Sequence, residues 1–126
     1  PARARNYGAK ESKSKYLIFI DNDILVEPNF VQLHFDSLES NPNCWILGRI
    51  IHPVQFRETP FGRYRDKLHE SFNTNQSKTK LSETTGMTAA NVSMLKSEFL
   101  ELGGYDEEFS IASCEDLELA IRAKEK

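Results

Sequence analysis

The 126-residue sequence is short of cysteine, has no long apolar run and carries no excess of basic charge. Its two cysteines, Cys44 and Cys114, lack C-x-x-C spacing. That predicts two reduced thiols in a cytosolic protein, with a bridge between them as the alternative. No apolar stretch approaches the roughly 18 residues of a membrane span. The start shows neither a signal-peptide pattern nor an initiator Met and opens directly on a helix-like segment, so the natural N-terminus is expected upstream of Pro1. A net charge of −3 argues against a protein held to nucleic acid by a basic surface, although a nucleotide ligand needs only a local cation. Internal repeats and an interdomain linker are missing too. What is there is 39% hydrophobic and 28% charged residues, a balance that suits one compact soluble domain.

Helix and strand signals alternate along the chain. Residues 1–15 are charged and mostly unbranched at Cβ, and read as a helix. Tyr16-Leu17-Ile18-Phe19-Ile20 is a continuous apolar run, the pattern of a strand covered on both faces in a parallel sheet. It stops at Asp21-Asn22-Asp23. Pro28 suits the first turn of a helix, and Phe30, Val31, His34, Phe35 and Leu38 follow at helical spacing until Asn41-Pro42-Asn43. Residues 44–51 read as a second strand. Within residues 52–85 the pattern weakens: 61–72 suggest a helix and 73–85 a polar loop. Residues 86–95 predict a third strand, with Ala90, Val92 and Met94 alternating against Asn91 and Ser93. Ser97 is a candidate cap for a short helix ending at Gly103-Gly104, and Ser113 for a last helix reaching Arg122. This order defines an α/β layered domain, in which ligands bind beyond the carboxyl ends of strands.

Asp21-Asn22-Asp23 lies at such an end. In extended backbone, residues two apart point to the same side, so both carboxylates can approach one ligand. Mg²⁺ and Mn²⁺ take oxygen ligands, often one or two carboxylates with phosphate oxygens. The bland alternative is a solvated turn in which Asp and Asn bond the local backbone. A strand followed by D-x-D also resembles the haloacid-dehalogenase-type phosphatases, whose first Asp is a nucleophile. Those enzymes usually continue with Gly-Thr, whereas Ile24-Leu25 follows here.

The second constellation runs from Gly103 to Arg122. On a helical wheel Leu117, Ala120 and Ile121 share an apolar face, Asp116 lies at its margin, and Glu115 groups with Glu118 and Arg122 on a polar face. Adjacent residues face different ways, so the spacing favours Asp116 as the carboxylate pointing into a site. There it could take a proton from a hydroxyl. The competing reading is a capping box, Ser113-x-x-Asp116. Elsewhere, His34 reads as a core or edge histidine, Trp45 as core, and Arg57, Arg63, Arg65 and Lys67 as a solvated basic face. His52 and His69 lack a metal-ligand pattern.

In series these segments resemble glycosyltransferase family 2, of the GT-A fold. Ala4-Arg5-Asn6-Tyr7-Gly8 resembles that family's A-R-N-x-G helix start, Tyr16 to Asp23 its strand ending in D-x-D, and Asn91 to Arg122 its run through G-G-F/Y-D-E-x-F to E-D-x-D/E-L-x-x-R. The resemblance implies a partial GT-A, Rossmann-like α/β domain over residues 1–126, a mixed sheet flanked by helices that lacks the N-terminal nucleotide-binding strands. It implies transfer of a sugar from a nucleotide-diphosphate sugar to a saccharide or other hydroxyl acceptor, inverting and dependent on Mn²⁺ or Mg²⁺. Asp23 would ligate the metal with Asp21, and Asp21, Asn22 and Arg5 would lie at the donor. Asp116 would be the catalytic base, and Glu115 a supporting or acceptor-binding group. The Q-x-x-R-W motif of processive synthases is absent, which favours single addition. The expected setting is cytoplasmic, with the full-length protein at the cytoplasmic face of a membrane as a variant of that expectation. An inactive fragment serving as a binding or assembly module is the alternative in another class.

Overall fold

The sheet has three strands: β1 (Tyr16–Ile20), β2 (Ile46–Leu47) and β3 (Asn91–Leu95). Among the described residues six helices accompany them: α1 (Ala2–Glu11), α2 (Phe30–Ser40), α3 (Val54–Arg57), α4 (Pro60–Thr74), α5 (Lys96–Glu101) and α6 (Glu115–Glu125). The computed structural model describes residues 1–74, 86–109 and 114–126, without side chains over 68–74. It divides into two compact units, Pro1–Gly48 with Thr85–Lys126, and Arg49–Thr84.

In the first unit β3 is the middle strand, and both neighbours run antiparallel to it. Tyr16 pairs with Leu95 and Ile20 with Asn91. The ladder continues past each end, through Asp21 N–H to Ala90 O and Lys96 N–H to Lys15 O. The parallel sheet suggested by the apolar run of β1 is therefore not what forms. Along β1, Leu17 and Phe19 are buried and Ile20 is exposed, so one face does most of the packing. The alternation expected for β3 does not leave a polar face outside, because Asn91, Val92, Ser93 and Met94 are all buried. A middle strand is covered on both sides. Val92 and Met94 enter the apolar core, while Asn91 and Ser93 meet His34 from α2.

The core is built around three rings. Phe19 lies 5.1 Å from Phe99 and 5.7 Å from Tyr105, and Phe99 and Tyr105 are 5.6 Å apart between centroids. Removing such a ring from a core costs about 3–5 kcal/mol. Helix α1 meets the core through Ala2, Asn6 and Ala9, a stripe at helical spacing whose short side chains let the backbone come close. Trp45 is half-buried against the same cluster.

Several boundaries differ from expectation. The second strand shrinks from residues 44–51 to Ile46–Leu47, where its pairing with β3 ends beyond Gly48. A Cβ on Gly48 would collide with the Asn91 side chain, so only glycine fits there. Ser97 lies inside α5 rather than capping it; the residue before the helix is Leu95. The expected cap Ser113 falls outside the described residues, and Cys114 stands at the start of α6 with a left-handed φ of 64°. No disulfide joins Cys44 to Cys114. The second unit contains α3 and α4 where one helix and a polar loop are expected; of that loop, 75–85 lies outside the described residues. Thr59 accepts from Gly62 N–H at 2.9 Å and Pro60 follows it, a favoured way to begin a helix. Arg57 pairs with Asp66 at 2.9 Å, and Arg63 donates to Glu58 O at 2.7 Å. Part of the basic cluster is thus occupied within its own unit. Among the described residues no helix is long and apolar enough to cross a membrane.

His34 bonds Ser93 Oγ through Nδ1 at 2.7 Å and Asn91 Oδ1 through Nε2 at 2.9 Å. The neutral ring satisfies both if Nε2–H donates to Asn91 and Nδ1 accepts from Ser93. Burial pushes its pKa below the usual 6.5, against a smaller opposing effect of Asn91. The folded state then binds fewer protons than the unfolded one, so this stability is complete above that value and is lost as pH falls below it. The urea midpoint should fall between about pH 7 and about pH 5. A His34→Gln variant, less stable at neutral pH, should show a flatter slope across that range.

Candidate active site

Four segments of the first unit converge beside the carboxyl end of β1. Helix α1 brings Arg5, the turn after β1 brings Asp21, the Gly103-Gly104 loop brings Tyr105, and α6 brings Glu115 and Asp116. Arg5 Nη2 donates to Asp21 Oδ1 at 3.1 Å, and Nη1 donates to Glu115 Oε1 at 3.3 Å. Its guanidinium carbon lies 5.6 Å from the Tyr105 ring centroid. The Glu115 side chain is only 7% exposed against 44% for Asp21, so the drier half of this bridge is Arg5–Glu115. Pairs of that kind resist the loss of one partner, which typically costs about 3–5 kcal/mol.

This changes the helical-wheel reading of α6. The buried residues are Glu115, Leu119 and Ala120, while Leu117 and Ile121 are largely exposed. The cation of Arg5 draws Glu115 inward, a contact that periodicity alone does not contain. Both members of the Glu115–Asp116 pair therefore lie in this cluster.

Asp116 Oδ2 accepts from Ala89 N–H at 3.0 Å, and Oδ1 is buried without a hydrogen-bond partner among the described residues. The bond to Ala89 spans 27 residues and ties α6 to the segment entering β3. Burial raises the Asp116 pKa above its usual 3.8, and the charges of Glu115 and Asp21 add to that; the Ala89 N–H and Arg5 oppose it. A carboxylate so held is more basic than a solvated one, the property a proton acceptor needs.

The Tyr105 loop is held by a two-way bond: Asn6 Nδ2 donates to Tyr105 O and Tyr105 N–H donates to Asn6 Oδ1, each at 2.8 Å. Gly103 and Gly104 have φ of 87° and 73°, and a Cβ on Gly104 would stand 2.6 Å from Asn6 Oδ1. Both glycines thus follow from the backbone the loop must adopt. From the other side Arg122, paired with Glu118, donates to Leu102 O and, at 2.8 Å, to Gly104 O.

Asp21-Asn22-Asp23 does form a turn, closed by Ile24 N–H to Asp21 O at 3.3 Å. Its carboxylates are not spent on that turn. Asp21 reaches Arg5, and Asp23 and Asn22 are exposed. No three His, Cys, Asp or Glu converge into a metal cage among the described residues. A hard cation that completes its shell with diphosphate oxygens and water needs only one or two carboxylates. Exposed Asp23 and half-exposed Asp21 fit that open arrangement.

The described fold is thus α/β, and its first unit gathers Arg5, Asp21, Glu115 and Asp116 beyond the end of β1. The whole chain, residues 1–126, matches the family model for glycosyltransferase like family 2. The chain belongs to that family, and its three-stranded antiparallel sheet with helices is compatible with a partial GT-A-like domain. No curated protein and no solved structure matches the chain at a significant level. Membership supports a glycosyltransferase acting between a nucleotide-sugar donor and an acceptor.

Sequence reasoning passed over Asn6, Ala89, Tyr105 and Arg122 as parts of the site. Asn6 and Arg122 stood within the motif segments as residue letters without a role. Ala89 acts through its backbone N–H, for which no side-chain signal exists.

Because the fold raises the Asp116 pKa, the ionised carboxylate opposes folding, and its stability contribution declines as pH rises above the usual 3.8. Asp116→Asn keeps an acceptor for Ala89 N–H and removes the buried charge. At neutral pH its Tm should equal the parent's or exceed it by up to about 4 °C. A calorimetric scan showing a clear fall in Tm would refute the burial argument.

Proposed function

We propose that this domain transfers a sugar from a nucleotide-diphosphate sugar to a hydroxyl acceptor by a single, inverting displacement. The observation that carries the reading is the convergence of Arg5, Asp21, Glu115 and Asp116 from three separate motif segments. Asp116, with its raised proton affinity, takes the acceptor's hydroxyl proton. As that proton leaves, the acceptor oxygen attacks the anomeric carbon from one face. The bond from that carbon to the diphosphate oxygen breaks on the other, and the nucleoside diphosphate departs with the electron pair.

Asp23, with Asp21, would hold Mn²⁺ or Mg²⁺, which when bound neutralises charge on the diphosphate. Arg5 sits beside Asp21 and presents a fixed cation on the donor side. Asn22 is exposed in the same turn, within reach of a donor. Glu115, held by Arg5, keeps that guanidinium in place rather than meeting solvent. The phosphatase alternative would need Asp21 as a nucleophile; its pairing with Arg5 and the family membership favour transfer.

Asp23→Ala and Asp116→Ala, each made in the full-length protein, should abolish sugar transfer measured by nucleoside diphosphate release with acceptor present. Full activity in either variant removes that residue from the mechanism.

A further inference from the structure

Packing accounts for the Tyr105 ring but not for its hydroxyl. Tyr105 is 2% exposed, with Phe19 and Phe99 against its ring and Arg5 over it. Phenylalanine would fill the same space. Yet the phenolic oxygen is buried with no hydrogen-bond partner among the described residues, and so is Oδ1 of Asp116. The neighbouring Asp116 carboxylate holds the phenolic proton more firmly, although the two make no hydrogen bond in this structure. A buried donor and a buried acceptor thus both stand without a partner in this site, among the described residues.

We propose that Tyr105 is a positioning residue for Asp116, its hydroxyl donating to Oδ1 while Ala89 N–H holds Oδ2. This rests on Asp116 being the base. The carboxylate is then fixed from two sides. Oδ1 is buried against the phenol, so the acceptor's proton goes to the second lone pair of Oδ2. Tyr105 itself keeps its proton throughout. Burial, then the neighbouring carboxylate, pushes its pKa well above the ordinary phenol range, so it serves as a donor at every working pH. Donation to a carboxylate favours the ionised form and opposes the effect of burial. The charges that face Asp116 are Arg5 from α1, Asp21 beyond β1 and Glu115 on its own helix. Tyr105→Phe leaves all three in place and removes only the hydroxyl.

The test is a carbon-13 titration of the Asp116 carboxyl in metal-free protein, paired with the pH profile of kcat/KM. In Tyr105→Phe the Asp116 pKa and the acid limb of the profile should both move up by about one unit. Donor KM should change little. Replacing Tyr105 by 3-fluorotyrosine keeps the hydroxyl and makes it a stronger donor, so both should move down. This second variant preserves the test if Tyr105→Phe folds poorly. An unmoved Asp116 titration overturns the hydrogen bond, even if Tyr105→Phe is less stable. Full transfer by Asp116→Asn would instead overturn the base assignment, a separate failure that the carboxyl titration does not imitate.

Discussion

The site depends on the guanidinium of Arg5. Three carboxylates, Asp21, Glu115 and Asp116, are gathered near one point by segments that are far apart in the chain. Arg5 bonds partners 16 residues downstream and 110 residues downstream of it. Without a cation between them, the mutual repulsion of Asp21, Glu115 and Asp116 would favour an open arrangement. With it, two carboxylates are fixed by planar, directional bonds, and Asp116 is left with one oxygen on Ala89 and a raised proton affinity. Arginine suits this place better than lysine, because its fork can bond two carboxylates at once while its flat face lies over an aromatic ring.

That arrangement is possible only because the scaffold beneath it is stiff. Asn6, one residue after Arg5, is bonded both ways to Tyr105, which fixes α1 to the loop that carries the ring. Tyr105 in turn is part of the three-ring core with Phe19 of β1 and Phe99 of α5. The same few residues therefore set the distance between Arg5 and Asp21 on one side and Arg5 and Glu115 on the other. The middle position of β3 completes the scheme. Its N-terminal approach presents Ala89 N–H to Asp116 and Ala90 O to the Asp21 backbone, so the turn and Asp116 share one strand end.

Much of this was legible before the fold. β1 could be read to the residue, since five apolar residues in a row ending at an aspartate leave few alternatives. Helices α1 and α2 and the Gly103-Gly104 stop followed from periodicity and punctuation. The direction of the sheet was not legible, because a buried strand reads alike whichever way its neighbour runs. Nor was the burial of Glu115, since a wheel assigns charged residues to solvent and knows nothing of a cation arriving from a helix far upstream. The roles of Asn6 and Ala89 rest on backbone bonds between distant segments. Such bonds leave no local pattern.

The central claim is that donor binding and proton transfer are separate tasks of one cluster, the first at Asp23 and the second at Asp116. Calorimetric titration of a nucleoside diphosphate with and without Mn²⁺ tests it most directly, on the parent, Asp23→Ala and Asp116→Asn. The account predicts Mn²⁺-dependent binding by the parent, the same affinity in Asp116→Asn, and loss of the Mn²⁺ dependence in Asp23→Ala. Binding by Asp23→Ala with unchanged Mn²⁺ dependence, or its loss in Asp116→Asn, would contradict that division.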